Sequence, residues 1–373
     1  MKHRFFFPFL LAAGLLLVAA GLAGLFFAPD LLQYAFQPPA SRDISLSALL
    51  DQTRTALKDN FPLLTLHGRK DGATLTANSV SVNDISLYLA GSGYSELYPR
   101  NFFAGRPVSA ADSEQNARVI VLDRETAFTL FGDSDPLGQP VTLGDTVLEV
   151  IGVADHSRSL GETGRFAAWV PLDLLTDCDL LVLSAPGTRD ASLQAVFRAG
   201  AAEAFGPGNL ISLSREKTGA AIPLRFVLLV LAVWLLRRAL KSLGRFGSAC
   251  LRRVRERQKQ VYFSRLFPYA LLQMLPVVLL LMLAVGAGFG LAMLAIEPVH
   301  IFPDWIPESL GDLSAWVSRF WDLVSAAARP VSLQTPELAS LRFYAVLIRW
   351  GLLFSLLGGI RILLVRGRNR DTR

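Results

Sequence analysis

The chain has 373 residues, of which 52% are hydrophobic and 18% charged. A soluble chain carries roughly 45–50% apolar and about 25% charged residues. With a mean hydropathy of +0.39, this composition excludes a purely soluble protein and a mainly disordered one, which would lack apolar surface to bury. The two cysteines, Cys178 and Cys250, are far apart and in unlike surroundings, which excludes a disulfide scaffold and a cysteine zinc cluster. The net charge of +6 would suggest nucleic acid only if it lay on one folded basic face, and its distribution along the chain points elsewhere.

In chain order, residues 1–28 form a short N-terminus and a first span. Phe5 to Phe27 is uncharged and long enough to cross a hydrocarbon core, which needs about 20 apolar residues. It exceeds the roughly 7–15-residue apolar region of a cleavable signal, and Gly24-Leu25-Phe26-Phe27 is a poor cleavage context, so an uncleaved anchor is expected. Residues 29–217 are long enough for a compact domain with its own core. There Leu46, Leu49, Leu50 and Leu57 recur at helical spacing. Val80, Val82, Ile85, Leu87 and Leu89 favour strand, and Arg118 to Leu122 reads as a short buried strand followed by a helix from Glu125 to Phe131. Gly132 to Gly138 is turn chemistry, and Val141–Leu143 with Val147–Val153 around Gly144-Asp145 predicts a hairpin. Leu180–Leu183 is a further strand and Ala191–Phe205 a further helix. Helices and strands mix without a βαβ rhythm, so the domain reads as α+β.

A second span occupies residues 218–236, with Arg225 near its start and Trp234 beside Arg237 and Arg238 at its end. Residues 237–268 form a basic loop with Arg237, Arg238, Lys241, Arg245, Arg252, Arg253, Arg255, Arg257, Lys259 and Arg265 against Glu256 alone. A third span covers 269–296, with Pro276 as an expected kink. Residues 297–342 form an outer loop in which Leu310, Leu313, Trp316, Val317, Phe320, Trp321 and Val324 predict an amphipathic helix. A fourth span covers 343–365, and 366–373 is a basic tail.

Lys and Arg concentrate on cytoplasmic loops. The segments 28–217 and 297–342 are the acidic ones, and the 237–268 loop and the tail are basic. One threading satisfies every loop: both termini inside, the large domain outside, four crossings between. The fold class is therefore a membrane protein, α-helical with four transmembrane helices and an α+β extracytoplasmic domain. The basicity belongs to the inner membrane face and anionic lipids, not to nucleic acid. Small residues mark expected helix-packing faces: Gly286 and Gly290 in the third span, and Gly351, Ser355 and Gly359 in the fourth.

The run Gly105-Arg-Pro-Val-Ser109, Asp112, Ala117 to Leu122, Leu130-Phe-Gly132, Asp135-Pro-Leu-Gly138, Val141-Thr-Leu143 and Val150-Ile-Gly-Val153 resembles the periplasmic core domain of MacB-type ABC transporter permeases. One span, a large outer domain and three later spans follow the same family order. The resemblance implies a permease of the MacB/FtsX kind, working as a homodimer or as a heterodimer with another permease. It would pair with a separate cytoplasmic ABC ATPase and transmit its movement to the outer domain. It further implies that the inner loop contacts that ATPase, which makes Arg252, Arg253, Arg255, Arg257 and Lys259 candidate ATPase-docking or lipid-contacting residues. The alternative is a non-transporting membrane-anchored binding or assembly module.

No catalytic constellation is legible. The chain has no P-loop, no His-Glu-x-x-His and no Gly-x-Ser-x-Gly, and its four histidines are scattered. Asp155-His156-Ser157 reads as a polar loop, Cys178 beside two acids as an inert thiol, and Asp173, Asp177 and Asp179 as solvated turns rather than a cation site. No catalytic residue, cofactor site or metal site is assigned, and any ATP hydrolysis is expected in the partner.

Overall fold

The computed structural model describes residues 3–38, 45–156, 158, 160, 162, 164–175, 177–258, 263–301, 314–315, 317–318, 321 and 334–368. The chain divides into two compact units, one of residues 1–220 with 330–373 and one of residues 221–329.

The first unit is built on a ten-stranded mixed sheet. After helix α1 (His3–Phe27), its elements are β1 (Leu31–Phe36), α2 (Leu46–Leu57), β2 (Thr65–Ala77), β3 (Val80–Ala90), α3 (Tyr94–Leu97), β4 (Phe102–Gly105), α4 (Ala110–Glu114), β5 (Val119–Asp123) and α5 (Arg124–Phe131). There follow β6 (Pro140–Leu143), β7 (Thr146–Ala154), β8 (Phe166–Pro171), β9 (Leu180–Pro186), α6 (Ala191–Phe205) and β10 (Asn209–Ser212). The strand order is β10-β1-β9-β2-β3-β8-β5-β7-β4, with β6 pairing β2 and β7. The β3–β8 and β5–β7 pairs are parallel, and the others are antiparallel.

All six residues of β1 are buried, so this strand has no solvent face. Leu32, Tyr34, Phe36, Leu66, Leu87, Leu89, Leu181, Leu183 and Phe197 make one continuous core. Helix α2 buries Leu46, Leu50, Thr53 and Leu57, the stripe that its sequence period calls for. Asp173 accepts from Leu46 N at 2.7 Å and Ser47 N at 3.1 Å, satisfying donors that a helix start leaves open. In α4 the capping box is complete: Ser109 accepts from Asp112 N, and the Asp112 carboxylate accepts from Ser109 N. Arg106 and Ser109 hold that carboxyl well below the usual carboxylate range. Gly152 is required where β4 meets β7, because a Cβ there would press on Arg106 O.

Two elements of the first unit are apolar helices, α1 and α9 (Pro336–Arg368). They pack along one another through small residues. A Cβ on Gly14 would lie 2.6 Å from Gly351 O, and one on Gly358 would lie 2.9 Å from Leu11 N and Phe7 O. Such close backbone approach is the geometry that small residues permit between membrane helices.

The second unit contains most of α7 (Leu213–Gln258) and all of α8 (Phe263–Ile301). The basic segment from 237 onward is helical through Gln258, because it is built mainly of Leu, Arg, Lys and Ala, the better helix formers. Across both units the described residues hold four helices long and apolar enough to cross a membrane: Phe6–Phe27, Leu213–Glu256, Ala270–Met293 and Pro336–Arg361.

Candidate functional site

Three of these helices are rooted in one place on the sheet. Three residues separate the end of helix α1 from β1, and α7 begins at Leu213, directly after β10 ends at Ser212. Strands β1 and β10 are paired, with Leu32 opposite Ser212. Lys217 Nζ donates to Ala28 O at 2.5 Å, and Ser214 Oγ donates to the Asp30 carboxylate. Gly187 N donates to Asp30 O at 2.9 Å, tying β9 into the same junction.

Helix α9 enters through a buried polar relay. Thr335 Oγ1 donates to Gln33 Oε1 at 2.8 Å, and Gln33 Nε2 donates to Tyr98 OH at 2.9 Å and to Glu337 Oε2 at 3.4 Å. Tyr98 OH and Ser184 Oγ are 2.9 Å apart. Burial pushes the Tyr98 hydroxyl well above its ordinary pKa, so it stays protonated and donates to Ser184 while accepting from Gln33. Gln33 is fully buried in β1; losing a partner there would cost the desolvation of an unpaired amide, about 1–3 kcal/mol. The polar relay therefore fixes where α9 meets the sheet.

The sheet domain holds a second polar cluster. Parallel pairing of β3 with β8 sets Tyr88 beside Trp169, their rings stacked at 5.8 Å. Pairing of β4 with β7 carries Arg100 to His156, where Arg100 Nη1 is 3.1 Å from His156 Nδ1. Glu162 accepts from Tyr88 OH at 2.7 Å and lies 3.0 Å from His156 Nε2. Nearby, His67 lies buried against Tyr94 and Tyr98 at ring distances of 5.5 and 5.0 Å. Burial, and then the Arg100 charge, lower its pKa to about 3, so it is neutral at physiological pH.

The residues singled out from the sequence are scattered over other places. Arg252, Arg253 and Arg255 are exposed on the last turns of α7. The Arg257 side chain and Lys259 lie outside the described residues, as does most of the amphipathic stretch, of which Val317 and Trp321 are described and exposed. Gly351 and Ser355 lie against Gly14 of α1, whereas a Cβ on Gly359 would meet nothing within 4 Å. The same holds for Gly286 and Gly290 of α8. Gly290 lines an apolar groove of about 880 Å³ between α7 and α8 with Leu236, Phe246 and Leu283.

Asp173, Asp177 and Asp179 do separate structural work. Asp173 caps α2, Asp177 pairs with Lys70 at 2.9 Å, and Asp179 accepts from Asp71 N at 2.8 Å. Among the described residues, no group of three or more His, Cys, Asp and Glu side chains is placed to hold a metal ion. His156 bridges Arg100 and Glu162 within the sheet domain, and Ser157 lies outside the described residues. Both cysteines are buried and unbridged.

Comparison with known proteins bears on this arrangement. Residues 25–199 match the family model of the MacB-like periplasmic core domain. A probable export ATP-binding/permease protein of Pseudomonas fluorescens is 33% identical over 96 residues, which is 24% of this chain and 15% of that protein. The macrolide export ATP-binding/permease protein MacB of Neisseria gonorrhoeae is 28% identical over 123 residues, 33% of this chain and 19% of that one. The chain thus matches less than a fifth of the length of either relative. Among solved structures, the periplasmic region of MacB from Actinobacillus actinomycetemcomitans aligns with 53% of this chain and 94% of its own, at 16% identity and a TM-score of 0.40. The extracellular domain of the transporter YknZ from Gram-positive bacteria aligns with 47% of this chain and 92% of its own, at 22% identity and a TM-score of 0.36. The matched segment runs from the end of α1 through β9 into α6, and the same chain carries long apolar helices. The chain is a membrane protein with a MacB-like periplasmic core domain as its extracytoplasmic part, and by that domain it is related to the MacB/FtsX-type ABC transporter permeases.

Proposed function

We propose that this chain is the permease-type subunit of an ABC transporter and transmits movement between a cytoplasmic ATPase and its extracytoplasmic sheet. The rooting of α1, α7 and α9 on the β1–β10 pair is the observation that carries this reading. A helix joined to a strand directly, through a short hydrogen-bonded connector, or through a buried relay moves that strand when it moves. Soft loops at the same junctions would absorb the motion. In this reading the ATPase is a separate subunit, both termini and the basic end of α7 face the cytoplasm, and the sheet faces outward. The subunit acts as a homodimer or beside a second permease, and outward movement exports or releases a substrate.

Arg252, Arg253, Arg255, Arg257 and Lys259 then lie at the inner face. Each gains about 1 kcal/mol from anionic lipid, and together they offer a cationic surface to the ATPase. The test is affinity purification of the full chain in mild detergent. An ATPase with a P-loop is expected to co-purify, and changing Arg252, Arg253, Arg255 and Arg257 to Glu is expected to abolish its recovery. Recovery of the chain without any ATPase would overturn the reading, and undiminished recovery with the reversed charges would overturn the docking surface.

A further inference from the structure

Helix α9 carries two arginines that no described residue answers. Its inward side runs through Leu338, Leu341, Ala345, Ile348 and Leu352, all buried at helical spacing. Beside that stripe Arg342, Val346, Arg349 and Leu353 follow at i, i+4, i+7 and i+11, so they share one strip of the helix. Arg342 is half-buried and Arg349 exposed, and Val346 and Leu353 are 43% and 47% exposed. Neither arginine makes a hydrogen bond, ion pair or ring contact with a described residue. Farther along the same helix Arg361, by contrast, lies over the Phe7 ring at 5.6 Å.

Arg349 stands inside the apolar span. It lies six residues past residue 343, and its neighbour Ile348 packs against Gly21, six residues before α1 ends at Phe27. Both counts put it about 9 Å from the outer end at 1.5 Å per residue, short of a bilayer centre at about 15 Å. A charge at that depth needs a counter-charge or a route to water. The spans Phe5–Phe27, 218–236, 269–296 and 343–365 contain no Asp or Glu, so the spans of this chain, or of a second copy, offer no carboxylate there. Helical side chains lean toward the helix N-terminus, which in α9 is the sheet end anchored through Thr335. Arg349 therefore reaches toward Arg342 and the headgroup layer rather than toward the membrane centre. Trp350 beside it is 54% exposed, an aromatic of the kind that marks that layer.

We infer that this strip binds a phospholipid of the outer leaflet, its phosphate taken by Arg349 and Arg342 and an acyl chain lying along Val346 and Leu353. A guanidinium fork matches a phosphate in charge and in shape, and the exposed apolar side chains of the strip match the chain below it. The inference requires that α9 crosses the bilayer with its sheet end outside, and it does not require that the chain transports anything. It is separate from the basic end of α7, which the proposed topology gives to the inner leaflet.

The test uses the full chain in lipid nanodiscs containing phosphatidylglycerol with a photoreactive diazirine in one acyl chain. Diacylglycerol with the same diazirine chain, which lacks the phosphate, is the control. After illumination, mass spectrometry is expected to find lipid adducts on the 342–357 stretch, about tenfold fewer with the diacylglycerol. Arg342→Gln and Arg349→Gln together are expected to cut the phosphatidylglycerol adducts there by about tenfold and to leave those near 252–257 unchanged. Arg349→Lys, which keeps the charge, is expected to retain the labelling. Equal labelling by the two probes in the unmodified chain, or undiminished labelling in the double variant, would overturn the proposal. In intact cells, benzoylphenylalanine at Val346 is expected to capture lipid; capture of another polypeptide that is lost in Arg349→Gln would assign the strip to a partner helix and overturn the proposal too.

Discussion

The four apolar helices fall into two unlike pairs. In α1 and α9, 22% and 28% of the apolar window is buried within the chain; in α7 and α8 the figures are 6% and 0%. Both pairs carry small residues. In the first they are used, with Gly14, Gly21, Gly24, Gly351 and Gly358 each set against a neighbouring backbone or ring. In the second, Gly286 and Gly290 face open space, and Leu279, Met282, Leu283, Val285 and Phe289 are exposed around them. A small-residue motif therefore does not locate its own partner. It permits close approach, and the fold decides whether the approach is made within the chain or is left to lipid or another chain.

The largest expected effect separates the sheet unit from α7 and α8 by acid. His67 has a folded pKa of about 3 against an ordinary 6.5, so the unfolded chain binds more protons between those values. Stability from this group is then fully present above pH 6.5 and is lost as pH falls toward 3, by roughly 4–5 kcal/mol over the whole window. Near-ultraviolet circular dichroism is expected to show the sheet unit melting progressively more easily over that range while far-ultraviolet helicity from the apolar helices persists. His67→Phe should flatten the dependence. An unchanged acid profile in that variant would show that another group governs it.

A smaller effect tests the two helix pairs against each other. Gly14→Leu drives side-chain atoms into the α9 backbone and is expected to cost about 3 kcal/mol, at the upper end for overpacking. Gly286→Leu meets nothing and is expected to change the stability of the isolated chain by less than about 0.5 kcal/mol. Thermal unfolding of both variants in the same detergent checks the pair. Equal losses would erase the distinction drawn between the two sets of helices.

Periodicity made several elements legible. The α6 range of Ala191–Phe205 is the one that the sequence suggested, and the β6–β7 hairpin closes at Gly144-Asp145 as its turn chemistry requires. Strand β1 left no signal because it is buried on both faces, so Leu-Leu-Gln-Tyr-Ala-Phe shows no alternation. Strand β2 was hidden by Arg69, Lys70 and Asp71 in its middle. The structure pairs all three of these charges, Arg69 with Asp71 at 2.8 Å and Lys70 with Asp177 at 2.9 Å. The basic stretch after 237 reads as a loop when only its charge is weighed, but its helix formers carry α7 through it. The relay through Gln33 was illegible for a different reason. Its partners Tyr98 and Glu337 are 65 and 304 residues away, and only the sheet and the course of α9 bring them together.

The central claim is that the sheet and the basic end of α7 lie on opposite sides of the membrane, joined by helices rooted in β1 and β10. Single cysteines at Asp145 and at Arg253, in a chain whose Cys178 and Cys250 are replaced by Ser, test it with a membrane-impermeant maleimide. The account predicts labelling at 145 in intact spheroplasts and at 253 only after the membrane is opened. Labelling at 253 in intact spheroplasts, or protection at 145 until they are opened, would contradict it.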